Sequence, residues 1–266
     1  NHRAAIEQAA PLHIAVMVEK PLATTVEDAL AIQHLAEQYQ IPVLTNYETT
    51  WYASNTAARN LLEEGKIGDL RKLVVHDGHH GPKAIGVSPE FLAWLTGPGQ
   101  DGDGALIDFG CYGANQMTWL TRGEKPVAVT AITRRFQPDA YPAVDDDAMV
   151  IVDYADAQGI IQASWNWPVS RKDMEIYGTT GQVIADDRHS LRVWASTPDS
   201  VTASDLPERA APYDNSFAYL RAVVSGKVVP DAYDPSSLEN NVLVMEILDA
   251  ARESASTGKT VLLPPA

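Results

Sequence analysis

The chain has 266 residues, 45% of them hydrophobic and 21% charged, with 35 acidic against 20 basic side chains and a net charge of −15. That apolar fraction belongs to a globular chain, not a disordered one, and the length suits one large domain or two modest ones. The negative charge repels phosphate backbones and anionic surfaces, no apolar run approaches the ~20 residues of a membrane span, and a single cysteine excludes an internal disulfide; nucleic-acid and membrane partners are therefore not expected.

The chain opens on Asn1-His2-Arg3, with neither a start methionine nor a signal peptide. That opening is expected of a sequence whose N-terminus is missing, and the compartment is not legible from it. Ile14-Ala15-Val16-Met17-Val18 is a continuous apolar run, the pattern of a parallel strand covered on both faces. Thr24 or Thr25 caps a following helix, with Glu27 and Asp28 in its first turn and Ala29, Ile32, Ala36 and Tyr39 at helical spacing. Ile41-Pro42-Val43-Leu44 reads as a second strand, which completes a βαβ unit. Another helix, 55–64, stops at Gly65.

From Lys125 onward the rhythm changes. Strands are expected at 127–134, 148–154, 159–165, 174–177, 183–185 and 191–194, joined by short turns, which is the mark of an antiparallel sheet. Helices at about 104–121 and 236–256 flank it, the second stopped by Gly258. The fold class is α/β plus α+β: the C-terminal part of a Rossmann-like domain over 1–50, then a domain over 51–266 with an open-faced, mostly antiparallel sheet flanked by helices.

Three motifs are set aside. The run 97–102 matches G-x-G-x-x-G, but a short helix at 91–95 precedes it instead of a strand, and Asp101 and Asp103 repel phosphate, so it reads as a surface turn. Gly258-Lys259-Thr260 ends like a P-loop, yet Glu253 stands where the first glycine belongs. His76, His79 and His80 do not share one strand face, and nothing nearby completes a tetrahedral set, so no metal is expected.

The chemistry-bearing residues lie elsewhere. Lys20, in Glu19-Lys20-Pro21, directly follows the first strand, and open α/β sheets bind ligands beyond the carboxyl ends of their strands. The plain alternative is a turn with a solvated lysine. Asp108, Tyr112 and Asn115 share one face if 104–121 is a single helix, the alternative being a wet stripe. Trp165-Asn166-Trp167 suits either stacking on sugar faces or core packing, and Asp145-Asp146-Asp147 reads as a solvated acidic turn or a hydroxyl clamp.

Taken together, several segments resemble the glucose–fructose oxidoreductase / inositol dehydrogenase / MocA family. They are Asn1-His2, Val16-Met17-Val18-Glu19-Lys20-Pro21-Leu22-Ala23, the run 64–70, Gly104-Ala105-Leu106-Ile107-Asp108-Phe109-Gly110-Cys111-Tyr112, the run 175–181 and the run 254–259. The resemblance implies a Rossmann domain that binds NAD or NADP, an open-faced sheet through which subunits form a homo-oligomer, and hydride transfer to or from a sugar or polyol carbon. It implies Lys20, Asp108 and Tyr112 as catalytic residues. Asn1, His2, Glu19, Lys20 and Pro21 would lie at the cofactor, and His79, His80, Asn115 and Trp165 at the substrate. Tyr112 stands where many members carry histidine, and Thr50 where many carry arginine. The glycine fingerprint of the dinucleotide fold is absent. The resemblance also leaves open a binding or assembly module, or an NAD-dependent glycoside hydrolase or eliminase. On the dehydrogenase reading, Lys20 steadies a Tyr112 phenolate that takes up the substrate proton, and Asp108 orients Lys20.

Overall fold

The structure, a computed structural model, describes residues 2–97, 104–195 and 201–264. A short helix α1 (His2–Ala9) and a 3₁₀ turn lead into strand β1 (Val16–Glu19). Helix α2 (Val26–Tyr39) carries the chain across to β2 (Val43–Asn46), which pairs with β1 in parallel from Val16↔Val43 to Glu19↔Asn46. Its start is the expected one: Thr25 caps it, its hydroxyl accepting from the Asp28 N–H at 3.1 Å. Ala29, Ile32 and Ala36 turn inward, where α2 packs on the last long helix.

After β2 a 3₁₀ turn (Glu48–Trp51) and helix α3 (Ala53–Glu63) lead to β3 (Leu70–Gly78). Helices α4 (Pro89–Thr96), α5 (Gly104–Asp108) and α6 (Gly110–Leu120) come next. The strands then follow in succession as β4 (Ala128–Arg134), β5 (Asp147–Asp153), β6 (Gln158–Ser164), β7 (Arg171–Gly178), β8 (Gly181–Ala185), β9 (Ser190–Ala195) and β10 (Thr202–Asp205). Helix α7 (Ser216–Val224), helix α8 (Leu238–Thr257) and a terminal strand β11 (Val261–Leu262) complete the described chain. Gly258, once a P-loop suspect, is the left-handed C-cap of α8 with φ 67°.

The large sheet has the order β10-β9-β8-β7-β3-β6-β5-β4-β11. Every pair is antiparallel except β3–β6, so the expected antiparallel sheet holds one parallel pair at its centre, made by a strand from far earlier in the chain. Helices α6 and α8 cover one face. Gly113 lets α6 lie close, since a Cβ there would come within 2.7 Å of the Ile161 side chain. Ile132, Met149 and Ile151 remain exposed on the other face. Among the described residues no helix is long and apolar enough to cross a membrane.

The expected single helix over 104–121 is two helices. Its start needs glycine: Gly104 has φ 77°, and a Cβ there would meet the Asp145 carboxylate at 2.4 Å. Asp145 then accepts from the Leu106 N–H at 3.0 Å. At Phe109 (φ −112°, ψ −29°) the regular ladder slips, because the Tyr112 N–H bonds to Phe109 O at 3.1 Å instead of to Asp108 O. Helical periodicity in the sequence cannot register a one-residue slip of this kind.

Candidate active site

The C-terminal ends of β1 and β2 are laced together. The Lys20 N–H donates to Asn46 O at 3.2 Å, Asn46 Nδ2 donates to Glu19 Oε1 at 2.6 Å, and Trp51 Nε1 donates to Asn46 Oδ1 at 2.9 Å. The Lys20–Pro21 peptide is cis, and His2 Nδ1 lies 3.1 Å from both Pro21 O and Leu22 O. This braced turn projects Lys20 from the end of β1 toward the slip between α5 and α6.

There Lys20 meets what the slip has freed. Its Nζ donates to the Asp108 backbone oxygen at 2.7 Å and to Asp108 Oδ1 at 2.5 Å. Cys111 Sγ also reaches the Asp108 oxygen, at 3.4 Å. The second carboxylate oxygen, Oδ2, accepts from Trp165 Nε1 at 3.0 Å. Asp108 is thus held at both oxygens, one by a cation and one by a buried indole. Burial alone would lower the Lys20 pKa, but Asp108, Cys111 and Asp77 outweigh it and the net shift is upward. Lys20 is an ammonium at neutral pH.

Tyr112 completes the cluster. The Lys20 Nζ lies 5.1 Å from its ring centroid, and the Tyr47 ring meets it edge-on at 5.3 Å. Its hydroxyl has no hydrogen-bond partner among the described residues. The ammonium lies over the ring, and its charge is engaged by Asp108. Burial first, with the Asp108 and Glu48 carboxylates adding to it, pushes the phenol well above its ordinary value of 10. The three residues meet, with the tyrosine protonated at rest.

The other residues singled out in the sequence divide. His79 lines an adjoining cleft of about 660 Å³, its ring edge-on to Phe109 at 4.9 Å and its Nδ1 accepting from the Gly81 N–H. Burial chiefly lowers its pKa, so it is neutral there. His80 is exposed and apart from this cluster. Asn115 is not in the cleft: it is buried and donates to Pro235 O at 2.8 Å, tying α6 to the start of α8. Trp165 offers no face to a sugar, because it is fully buried against Tyr141; its indole N–H acts instead through Asp108. Trp167 is covered by the Arg171 guanidinium at 5.0 Å.

Neither reading of Asp145–Asp147 survives. Asp146 is fully buried and accepts from the Phe136 and Gln137 N–H groups, Asp145 caps α5, and Asp147 accepts from Ser164. His76, Asp173 and Glu175 bring ligand-type atoms within 4.8 Å of one another, but the donors are already engaged: Asp173 accepts from Arg171 and His76, and Glu175 from the Tyr177 hydroxyl. Glu19 and Pro21 lie in the braced turn and His2 beneath it, while Asn1 and most of the 97–102 run fall outside the described residues.

Three residues escaped the sequence reading. Glu48, just beyond the end of β2, accepts from Lys172 on β7 and from the Tyr52 hydroxyl. Lys172 also stands 4.8 Å from the Tyr112 ring centroid. Asp77, opposite Lys172 in the β3–β7 register, is fully buried with neither carboxylate oxygen hydrogen-bonded. Burial drives its pKa far above the usual carboxylate range, against the pull of Lys172 and Lys20. Glu48 had a signal, for it follows β2 as Lys20 follows β1. Asp77 had one too, as the lone acid in the strand 70–78. Lys172 had none.

Comparison with known proteins gives two adjoining matches. Residues 1–47 match a model described as an oxidoreductase family with an NAD-binding Rossmann fold, and residues 55–184 match the GFO/IDH/MocA C-terminal domain. The chain is 24% identical over 278 residues to D-apiose dehydrogenase of Rhizobium rhizogenes, covering 98% of this chain and 76% of that protein. It is 26% identical over 166 residues to trans-1,2-dihydrobenzene-1,2-diol dehydrogenase of Xenopus laevis, covering 62% of this chain and 46% of that one. In structure it is similar to aldose-aldose oxidoreductase from Caulobacter crescentus, complexed with glycerol, with a TM-score of 0.83, 22% identity and coverage of 98% and 76% of the two chains.

Proposed function

The chain belongs to the GFO/IDH/MocA oxidoreductase family, and from that premise we propose that the protein it represents moves hydride between a hydroxyl-bearing carbon of a sugar or polyol and NAD or NADP. The observation that carries the reading is the convergence of Lys20, Asp108 and Tyr112 at the C-terminal end of a parallel strand, the two charged partners 88 positions apart. The relatives above, dehydrogenases of a sugar and of a diol, support the substrate class.

The residues present fit the reactive end of a nicotinamide. Lys20 keeps 19% of its side-chain surface exposed, and the unpartnered Tyr112 hydroxyl leaves a donor for a reacting oxygen. The loops after β1 and β2 contain no glycine, so they form no pyrophosphate cradle. His2, Glu19, Lys20 and Pro21 would hold the nicotinamide end. When bound, the cofactor supplies the hydride acceptor or donor. Around the substrate oxygen, Lys20 stabilises developing alkoxide charge, Asp108 fixes the ammonium in place, and Tyr112 donates a proton during carbonyl reduction and takes one back in oxidation. His79 faces the substrate from the cleft. Residues 1–50 act as the cofactor side and 51–266 as the substrate and assembly side, with the exposed apolar face of the large sheet as the homo-oligomer contact.

Reduced-nicotinamide fluorescence and turnover, measured against a panel of aldoses, inositols and diols, test the reading. Binding and turnover that are both lost in Lys20→Met support it. Turnover that survives unchanged in Lys20→Met rejects it.

A further inference from the structure

We propose that the Glu48–Lys172 pair is a second polar anchor for the substrate, a donor–acceptor unit that grips adjacent hydroxyls of a neutral polyol and disfavours sugar acids. The inference rests on the hydride-transfer reading above and adds the feature that chooses the substrate.

The pair occupies the right place. Both residues line the cleft that also holds His79 and Phe109. Lys172 stands over the Tyr112 ring at 4.8 Å, as Lys20 does at 5.1 Å, so the tyrosine is flanked by two ammonium–carboxylate pairs brought from different parts of the fold. Glu48 also accepts from the Tyr52 hydroxyl, which sets the carboxylate's direction from a second side.

The pair is also reachable. Lys172 and Glu48 keep 24% and 52% of their side-chain surface, against 19% and 11% for Lys20 and Asp108. An ion pair that exposed contributes little to stability, so bracing alone is a weak reason for it. Its chemistry suits vicinal hydroxyls, with one accepting from the ammonium and its neighbour donating to the carboxylate.

Charge decides the class. Lys20 is matched by Asp108 and Lys172 by Glu48, while Asp77 is fully buried beside them. The cleft's arginines are taken as well, Arg171 by Asp173 and Arg192 by Asp186, so among the described residues lining it no lysine or arginine is left over for a substrate carboxylate, which would meet Glu48 and Asp108 as like charges. A neutral polyol leaves both pairs intact.

The test compares kcat and KM for wild type, Glu48→Gln and Lys172→Met on three probes with NAD+ and NADP+. The probes are an accepted aldose or inositol, its analogue lacking one hydroxyl, and the corresponding sugar acid. The expected result is a roughly ten- to hundredfold rise in KM for the parent polyol, with kcat within about threefold. The deoxy analogue loses less in the variants than the parent does, and Glu48→Gln improves the sugar acid relative to the parent. Unchanged KM in both variants, a fall in kcat matching that of Lys20→Met, or wild-type preference for the sugar acid overturns the proposal while leaving the redox reading standing. If none of the probes is turned over, the redox reading fails by itself, and calorimetric titration with myo-inositol decides this one. Heat seen with wild type and lost in Lys172→Met supports it; equal heat, or none, overturns it.

Discussion

Asp108→Asn separates what the Lys20–Asp108 pair does from what its neighbours do. The replacement keeps the shape but offers one acceptor where the carboxylate offered two. Its amide group must then face either the Lys20 ammonium or the Trp165 indole N–H, a donor against a donor. Losing a hydrogen bond to a charged group costs about 1.5–3 kcal/mol. A fully buried pair broken on one side costs about 3–5 kcal/mol, but the 19% and 11% exposure here lets water reach both partners, so the lower range applies. Urea unfolding of wild type, Asp108→Asn, Lys20→Met and the double variant gives a coupling energy, expected at about 1.5–3 kcal/mol. The double variant should be less destabilised than Asp108→Asn, since removing the ammonium removes a stranded charge. The pH dependence has a definite sign. With its pKa raised above 10.5, Lys20 adds stability that is present below that value and lost as pH climbs through the folded value. In Asp108→Asn the main raising partner is gone and burial dominates, so the dependence reverses and stability improves as pH rises toward 10.5. Additivity within about 0.5 kcal/mol, with no reversal, would refute the reasoning.

Trp165→Phe removes only the indole N–H and some volume. It should destabilise by about 1.5–3 kcal/mol plus a cavity cost and lower turnover at least tenfold by loosening Asp108; full turnover at normal KM would show that the Trp165 contact is merely structural. Tyr112→Phe should cut turnover by roughly 10²–10⁴-fold. Because its phenol is held above 10, alcohol oxidation by the wild type should rise about tenfold per pH unit with no plateau up to that value, and a plateau below about pH 8 would assign the proton to another group. Asp77 has a folded pKa far above 3.8, so its contribution is fully present below 3.8 and is lost as pH rises through the folded value. Asp77→Asn should therefore be more stable than wild type at pH 7, by about 1–3 kcal/mol, in thermal or urea unfolding; a less stable variant would mean that Lys20 and Lys172 hold Asp77 as a carboxylate.

The large elements were legible because their signals are local. The apolar run ending at Val18, the Thr25 cap, the stops at Gly65 and Gly258, and the strand succession after Lys125 each depend on a few adjacent residues. What the sequence did not carry was pairing across distance. The segment 70–78 looks like any mixed strand, yet it sits at the centre of the sheet beside β6 and β7, where Leu73 and Val75 are buried. Helix α7 was missed since its stripe is short and partly exposed, with Phe217 turned outward.

The site followed the same division. Lys20 and Asp108 were found through position and family pattern, but their contact depends on the slip at Phe109, which no periodicity contains. In a continuous α-helix the Tyr112 N–H would bond to Asp108 O and compete with Lys20 for it. The slip hands that carbonyl to the lysine, so that backbone and side chain of one residue hold the same ammonium at 2.7 and 2.5 Å. The slip also breaks the assumption of one face shared by Asp108, Tyr112 and Asn115: the first two stay at the cleft, and Asn115 turns to Pro235. Trp165 shows the other side: of the two uses that the residue type allows, the structure takes packing. Aromatic size suggested a sugar platform, whereas complete burial leaves only the indole N–H to act, and it acts on Asp108. A polar group that must be satisfied in a core constrains the Asp108 carboxylate as firmly as a ligand contact would, and it is set by packing that spans the whole chain.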